Sequence, residues 1–173
     1  MHRIEEDTVI TKTLSVIGGF TPPDGSISRQ KIPAAAGLEA SKLEHQHALH
    51  YSQADGADVA DAIVPVHVAR AAGTILAVEA ACLDAPSGGG GDPKHFHVDL
   101  KKSTVGVPVP ATVLTAPIDY VNGTPDATVL AGAIASATLA DGDILVVDVD
   151  ALGADGVQGQ GLVVTVTIRE NAD

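Results

Sequence analysis

Apolar and polar residues alternate from about residue 61 onward, in short runs separated by turn-forming residues. The run from Ala62 to Arg70 alternates in this way, and so does the run from His95 to Leu100, where Phe96 and Val98 share a side with Leu100. A period of two is typical of β-strands that bury one face. Further strands are predicted at residues 74–82, 113–120, 127–139, 144–149 and 162–168. We therefore expect an all-β domain, an antiparallel β-sandwich or a jelly roll.

Turn residues and a proline refine this prediction. Asn122-Gly123 and Asp141-Gly142 are strong signals for tight turns. Pro65 lacks a backbone N–H, which predicts that its strand lies at the edge of a sheet or ends there. Only a short Ala-Ala-Gly connection precedes residues 74–82. We therefore expect that run to form a hairpin with the strand before it.

The first part of the chain shows neither the two-residue period of a β-strand nor the period of an α-helix. We divide the chain into an extended N-terminal arm, residues 1–55, and a β-sandwich domain, residues 56–173. Apolar residues in the arm are spaced at five or six positions, which matches neither a helix nor a strand. This spacing predicts an extended segment that binds a partner through single side chains, namely Ile27, Ile32, Leu38, Leu43 and Leu49. The alternative is a strand and a short helix that pack on the domain itself.

Charge is distributed unevenly between the two parts. The net charge is −12, and residues 1–52 hold five Lys/Arg against six Asp/Glu, whereas residues 53–173 hold five against sixteen. An acidic domain repels phosphates, so direct binding to nucleic acid is not expected. The chain has no apolar stretch of membrane-spanning length and no signal-peptide core. We therefore expect that it is synthesised in the cytoplasm and does not associate with a membrane.

Two groups of histidines and one cysteine have side chains suited to chemistry. His95 and His97, with Asp99, place three metal-ligand types on one strand face, but a solvent-facing polar surface is the simpler interpretation. The histidines at positions 45, 47 and 50 lack the cysteines or the spacing of a zinc site. No Gly-x-Ser-x-Gly motif is present, and the single cysteine, Cys82, has no neighbouring base in sequence. We therefore predict no catalytic residue, no bound metal and no cofactor.

A resemblance covers most of residues 60–170. The segments Ile63–Val68, Ala72–Ala80, Val98–Lys102, Val113–Ala116 and Asp141–Leu145 resemble the small virion proteins of tailed bacteriophages, in particular capsid decoration (cement) and head-fibre proteins. This resemblance implies a non-enzymatic protein whose partner is the major capsid protein. It also implies a location on the outside of the virion and assembly as a homotrimer.

Two other functions compete with this one. A carbohydrate-binding or adhesive β-sandwich module would need exposed aromatic rings, and the chain has only Phe20, Tyr51, Phe96 and Tyr120. A cupin-like metalloenzyme would rest on His95 and His97, but the later histidine and the nearby glutamate of such a site are missing.

Overall fold

The structure of the protein, a computed structural model, describes residues 45–107 and 109–171. Within these residues the chain forms β-strands and no helix, which confirms the all-β prediction. The strands are β1 (His45–Ser52), β2 (Ala62–Val68), β3 (Gly73–Asp84), β4 (His95–Ser103), β5 (Ala111–Thr112), β6 (Ile118–Tyr120), β7 (Val129–Ala131), β8 (Thr138–Leu139), β9 (Ile144–Leu152) and β10 (Gln160–Glu170). No helix long and apolar enough to cross a membrane occurs in the described part of the chain.

The strands form two antiparallel sheets that enclose one core. Sheet A has the order β1-β10-β3-β7, with β8 also paired to β3, and sheet B has the order β2-β9-β4-β5, with β6 also paired to β4. β5 and β6 both pair with β4, and β7 and β8 both pair with β3. If each of these pairs is counted as one interrupted strand and the strands are renumbered in chain order, eight strands form two four-stranded sheets. Their orders are then 1-8-3-6 and 2-7-4-5, which is the strand order of a jelly roll.

Most connections between strands cross from one sheet to the other. β2 lies in sheet B and β3 in sheet A, so the predicted hairpin between them is wrong. The turns at Asn122-Gly123 and Asp141-Gly142 do form, and each closes with a backbone hydrogen bond, Thr124 N to Val121 O at 3.0 Å and Asp143 N to Ala140 O at 3.1 Å. Both turns also lead into the opposite sheet. A turn signal identifies where the chain reverses, but not which strand becomes the partner.

Aliphatic side chains fill the space between the sheets. Phe96, Val98 and Leu100 of β4 have no exposed surface, as the alternation of that strand predicts. β10 contributes Leu162, Val164, Val166 and Ile168 from one face. The only aromatic stack among the described residues is that of Phe96 on Tyr120, with ring centroids 4.7 Å apart. The interior is therefore a packed core made mainly of valine, leucine and isoleucine.

A β-bulge changes which side chains of β2 are buried. The register with β9 shifts between Pro65 and His67, so Val66 is passed over in the pairing. Val66 packs against the core, but His67 is half-buried and Val68 is exposed, against the alternation predicted for this strand. Pro65 is exposed on an edge strand of the described sheet, which confirms the interpretation of the proline.

The sandwich begins earlier than the predicted boundary at residue 55. β1 pairs with β10 over its whole length, from His45 opposite Glu170 to Ser52 opposite Val163. Leu49, one of the predicted partner anchors, is partly buried and packs against the core of this domain. The sequence missed β1 because histidines occupy positions on both its faces and mask the alternation. The other predicted anchors, Ile27, Ile32, Leu38 and Leu43, lie outside the described residues.

Candidate functional site

The two outer faces of the sandwich differ in charge. Face A is formed by outward side chains of sheet A: Gln46, Ala48, His50, Ser52, Thr74, Ala77, Glu79, Ala81, Leu83, Val129, Ala131, Val163, Thr165, Thr167 and Arg169. Face B is formed by outward side chains of sheet B: Ile63, Pro65, His95, His97, Asp99, Lys101, Thr112, Asp119, Ile144, Val146, Asp148 and Asp150. Face A contains one carboxylate, Glu79. Face B contains four, those of Asp99, Asp119, Asp148 and Asp150. The acidity predicted for the β domain is therefore carried in part by one face.

An apolar loop projects from one end of sheet B. The valine loop comprises Thr104, Val105, Gly106, Val107 and Val109, and its three valines are 75%, 51% and 72% exposed. A turn holds it, because Val107 N donates to Thr104 O at 2.8 Å and Gly106 has a φ of 80°.

The valine loop borders a groove of about 460 Å³. Its walls are Ser103 to Val107 on one side and Gly142 with Ile144 on the other. Gly142 lies directly under Val105, where a Cβ atom would come within 2.9 Å of the valine methyl. Exposed valines beside an open groove are typical of surfaces that contact another protein. The described residues that line the groove contribute no acid, base or nucleophile other than the hydroxyls of Ser103 and Thr104.

His95 and His97 point away from the core. The Nδ1 atom of His95 lies 3.0 Å from the carbonyl oxygen of Pro93, and Nε2 of His97 lies 3.2 Å from the Asp119 carboxylate. A shallow groove of about 360 Å³ runs past His95 and Asp119 to Asn122. Among the described residues no group of three or more His, Cys, Asp or Glu side chains is placed to hold a metal ion. A metal site between the two sheets would need both imidazoles to point inward.

A buried carboxylate pair lies in the middle of face B. Asp99 and Asp148 are opposite each other on β4 and β9, and both are buried. Lys101 pairs with Asp148, and the Thr112 hydroxyl donates to Asp99 at 2.7 Å. Burial raises the pKa of Asp99, against the opposing effects of Thr112 and Lys101. Asp148 is therefore part of a buried ion pair with Lys101.

A second buried carboxylate joins three segments of the chain. Glu170, at the end of β10, lies 3.1 Å from Nε2 of His67 on β2 and 3.6 Å from Nε2 of His47 on β1, and it accepts a hydrogen bond from the Arg70 amide at 2.9 Å. Burial acts to raise the pKa of Glu170, but the contacts with His67, Arg70 and His47 hold it below its usual value. This cluster links the edge strands of both sheets, so its role is to hold the sandwich together.

Cys82 is unsuited to nucleophilic chemistry. Its thiol donates to the carbonyl oxygens of Asp84 at 2.8 Å and Gln160 at 3.1 Å, and burial raises its pKa to about 11. The thiolate that nucleophilic attack requires is therefore scarce at neutral pH.

The sequence named part of this arrangement. It predicted the outward direction of His95, His97 and Asp99, which the burial of their strand neighbours confirms. It gave no role to Val105, Val107 and Val109, although a valine at every second position in a Pro- and Gly-containing loop was a visible signal. The pairing of Glu170 with His67 joins residues 103 positions apart and left no signal in the sequence.

Comparisons of the chain with protein-family models, with curated proteins and with solved structures gave no match.

Proposed function

We propose that this protein is a structural virion protein that binds the outside of a tailed-phage capsid and stabilises the shell. Its partner in this proposal is the major capsid protein, and its location is the capsid exterior, after synthesis in the host cytoplasm. The observation that carries the proposal is the combination of a packed jelly roll with an exposed valine loop. Jelly rolls are common among viral capsid proteins, a fold-level analogy that agrees with the resemblance of residues 60–170.

The described residues support binding better than catalysis. The groove beside the valine loop lacks an acid or base, and the thiol of Cys82 is buried. The two histidines of face B point away from the core. The carbohydrate alternative is weakened because Phe96 and Tyr120 are fully buried, which leaves only the half-buried Tyr51 among the described aromatic residues for stacking on a sugar.

Stabilisation of the shell follows from preferential binding. A protein that binds across neighbouring subunits of an intact shell, and not to the separated subunits, shifts the equilibrium toward the intact shell. Each valine of the loop that becomes buried in the contact would contribute about 1 to 2 kcal/mol through removal of apolar surface from water. The predicted anchors of the arm, Ile27, Ile32, Leu38 and Leu43, would add to this contact.

Co-sedimentation with shells assembled without the protein tests the proposal. We expect saturable binding of the full chain, and a loss of at least tenfold in affinity for the double variant Val105→Asp, Val107→Asp, which places charges where apolar contact is expected. Ile63→Asp is the matched control, because Ile63 is 73% exposed on face B and lies away from the valine loop. Failure of the full chain to sediment with shells would contradict the proposal, whereas equal binding by both variants would move the contact away from the loop.

A further inference from the structure

β1 is an edge strand that lacks the usual protections against pairing with another strand. Among the described residues it has one neighbour in its sheet, β10, along which it runs for eight residues with no shift in register. Proline, bulges, charged side chains and short strands are features that keep sheet edges from pairing. β1 contains no Pro, Gly, Lys, Arg, Asp or Glu. It is therefore suited to accept a further strand along its whole length.

The other three edges of the described sandwich each have such a protection. β2 contains Pro65 and the bulge at Val66. The far edge of sheet A is divided between β7 and β8, and that of sheet B between β5 and β6, all strands of two or three residues. This contrast identifies β1 as the edge that pairs.

The alternation of hydrogen bonds shows which backbone groups of β1 point away from β10. Gln53 N, one residue past the end of β1, donates to Leu162 O at 2.9 Å, in register with the pairing of β1 and β10. Hydrogen-bonded and non-hydrogen-bonded pairs alternate along an antiparallel ladder. His47, Leu49 and Tyr51 therefore bond to β10. The N–H and C=O groups of the residues between them point to the edge of the sheet: Gln46, Ala48, His50 and Ser52.

We propose that β1 pairs with β1 of a second copy of this chain, antiparallel and about a two-fold axis at Leu49. The A sheets of both copies then form one continuous sheet. In this register Gln46 lies opposite Ser52 of the other copy and Ala48 lies opposite His50, so all four outward positions are used. Each such pair carries two hydrogen bonds, which gives about eight bonds in total.

A second β1 fits this edge because the two-fold axis matches the side chains as well as the backbone. Leu49, which packs against the core, meets Leu49 of the other copy, so the apolar interior continues across the contact. His50 faces an alanine and His47 faces a tyrosine, so neither faces a histidine. The contact is thus self-complementary, as a two-fold interface requires.

Charge also permits two copies of this acidic chain to meet here. β1 and β2, the edge strands on this side of the two sheets, contain no Lys, Arg, Asp or Glu. Arg169 and Glu170 of β10 lie opposite Gln46 and His45, at one end of β1. The two-fold axis sets their copies near opposite ends of the joined strands, roughly 25 Å apart or more. Salt screens charges at that separation.

The size of the contact sets the expected strength. Eight residues give a strand about 27 Å long, and two sheets about 10 Å apart give this side of the sandwich an area of roughly 300 Å². Stable interfaces usually bury about 800 Å² on each partner. We therefore expect a weak pair, with a dissociation constant on the order of 10 to 100 μM, which forms mainly where many copies are held close together.

Sedimentation velocity of the full chain, over a concentration series that reaches about 1 mM, tests this pairing. The expected result is a shift from the monomer mass of 17.4 kDa to twice that mass. Ala48→Pro should raise the dissociation constant at least tenfold, because it removes an outward N–H from each copy while the bonds from β1 to β10 remain. Ala48→Val keeps that N–H and should leave the constant within about twofold.

Cross-linking tests the register. Leu49→Cys places two thiols in a non-hydrogen-bonded pair at the axis, with Cα atoms about 4.5 Å apart, which suits a disulfide. Ala48→Cys is the matched control, because its position is more exposed but its two copies lie roughly 8 Å apart, too far for a disulfide. Mild oxidation should therefore link Leu49→Cys into dimers and leave Ala48→Cys unlinked. The native Cys82 is buried, and circular dichroism with the melting temperature establishes that each variant is folded.

A monomer at every concentration would overturn the pairing, and it is the result expected if a different strand occupied this edge. Equal dissociation constants for Ala48→Pro and Ala48→Val, or cross-linking of Ala48→Cys in place of Leu49→Cys, would also overturn it. A mass of three chains, as the sequence predicts, would do the same, since a two-fold contact closes with two copies. Shell binding is measured separately, so either proposal can fail alone.

Discussion

At the scale of single residues, two buried carboxylates have opposite effects on stability. Glu170 is surrounded by His67, His47 and the Arg70 amide, so the folded protein favours its charged form. Asp99 faces another carboxylate, Asp148, and burial favours its neutral form. From the sequence, both are acidic residues on predicted strands, and nothing distinguishes their effects on stability. Their partners come from other strands, so only the fold determines the sign of each effect.

Glu170→Gln should destabilise the protein at pH 7 by about 1 to 3 kcal/mol, because it removes a buried charge that is hydrogen-bonded and paired. A carboxyl group whose pKa is lowered by folding stabilises the folded state above its unfolded pKa, near 4.5. This contribution disappears as the pH falls below that value. Urea unfolding of both proteins between neutral and acidic pH should therefore give curves that converge in acid. A constant difference at all pH values would contradict this account.

Asp99→Asn should have the opposite effect at pH 7. The pKa of Asp99 is raised in the folded protein, so its charged form costs stability above that pKa, and the amide removes the cost while it can still accept the hydrogen bond from Thr112. We expect a gain of up to about 1 kcal/mol, the usual range for like charges opposite each other on paired strands. Thermal unfolding at pH 7 measures it. Thr112→Val serves as a control that removes the hydrogen bond instead, and a loss of stability in Asp99→Asn would show that the charge is favourable.

At the scale of elements, alternation identified strands well and partners poorly. β4, β9 and β10 each have an uninterrupted apolar face, and all three were predicted close to their observed positions. β2 also lies where it was expected, but the bulge at Val66 reverses its last residues. Pairing could not be predicted, because a jelly roll joins successive strands across two sheets, and sequence distance favours neighbours. β1 was assigned to the arm because its histidines mask the period.

Two truncations test the position of β1. Removal of residues 1–44 should leave the sandwich folded with nearly unchanged stability, because β1 is retained. Removal of residues 1–52 should lower the free energy of unfolding by several kcal/mol, because β10 loses its partner along eight positions and Leu49 and Tyr51 no longer cover the core. Chemical denaturation measures both. Equal stability of the two truncated proteins would show that β1 is dispensable.

At the scale of the whole molecule, the distribution of charge separates three surfaces. Face B is charged, face A carries little charge, and the valine loop at one end is apolar. This separation would allow one subunit to meet a partner through the loop, as proposed, while its acidic face stays toward solvent. The net charge of the domain was evident from the sequence, but its separation into faces depended on the strand order.

The central claim is that the protein stabilises a capsid, and the release of DNA from filled shells on heating tests it most directly. Shells that lack the protein are heated with and without saturating amounts of the full chain, and a DNA-binding dye reports the release temperature. Preferential binding to intact shells, as proposed, would shift the equilibrium toward them, so the expected release temperature rises with protein concentration until the sites are full. The double variant Val105→Asp, Val107→Asp should need at least tenfold more protein for the same rise. An unchanged release temperature at saturating protein would contradict the account.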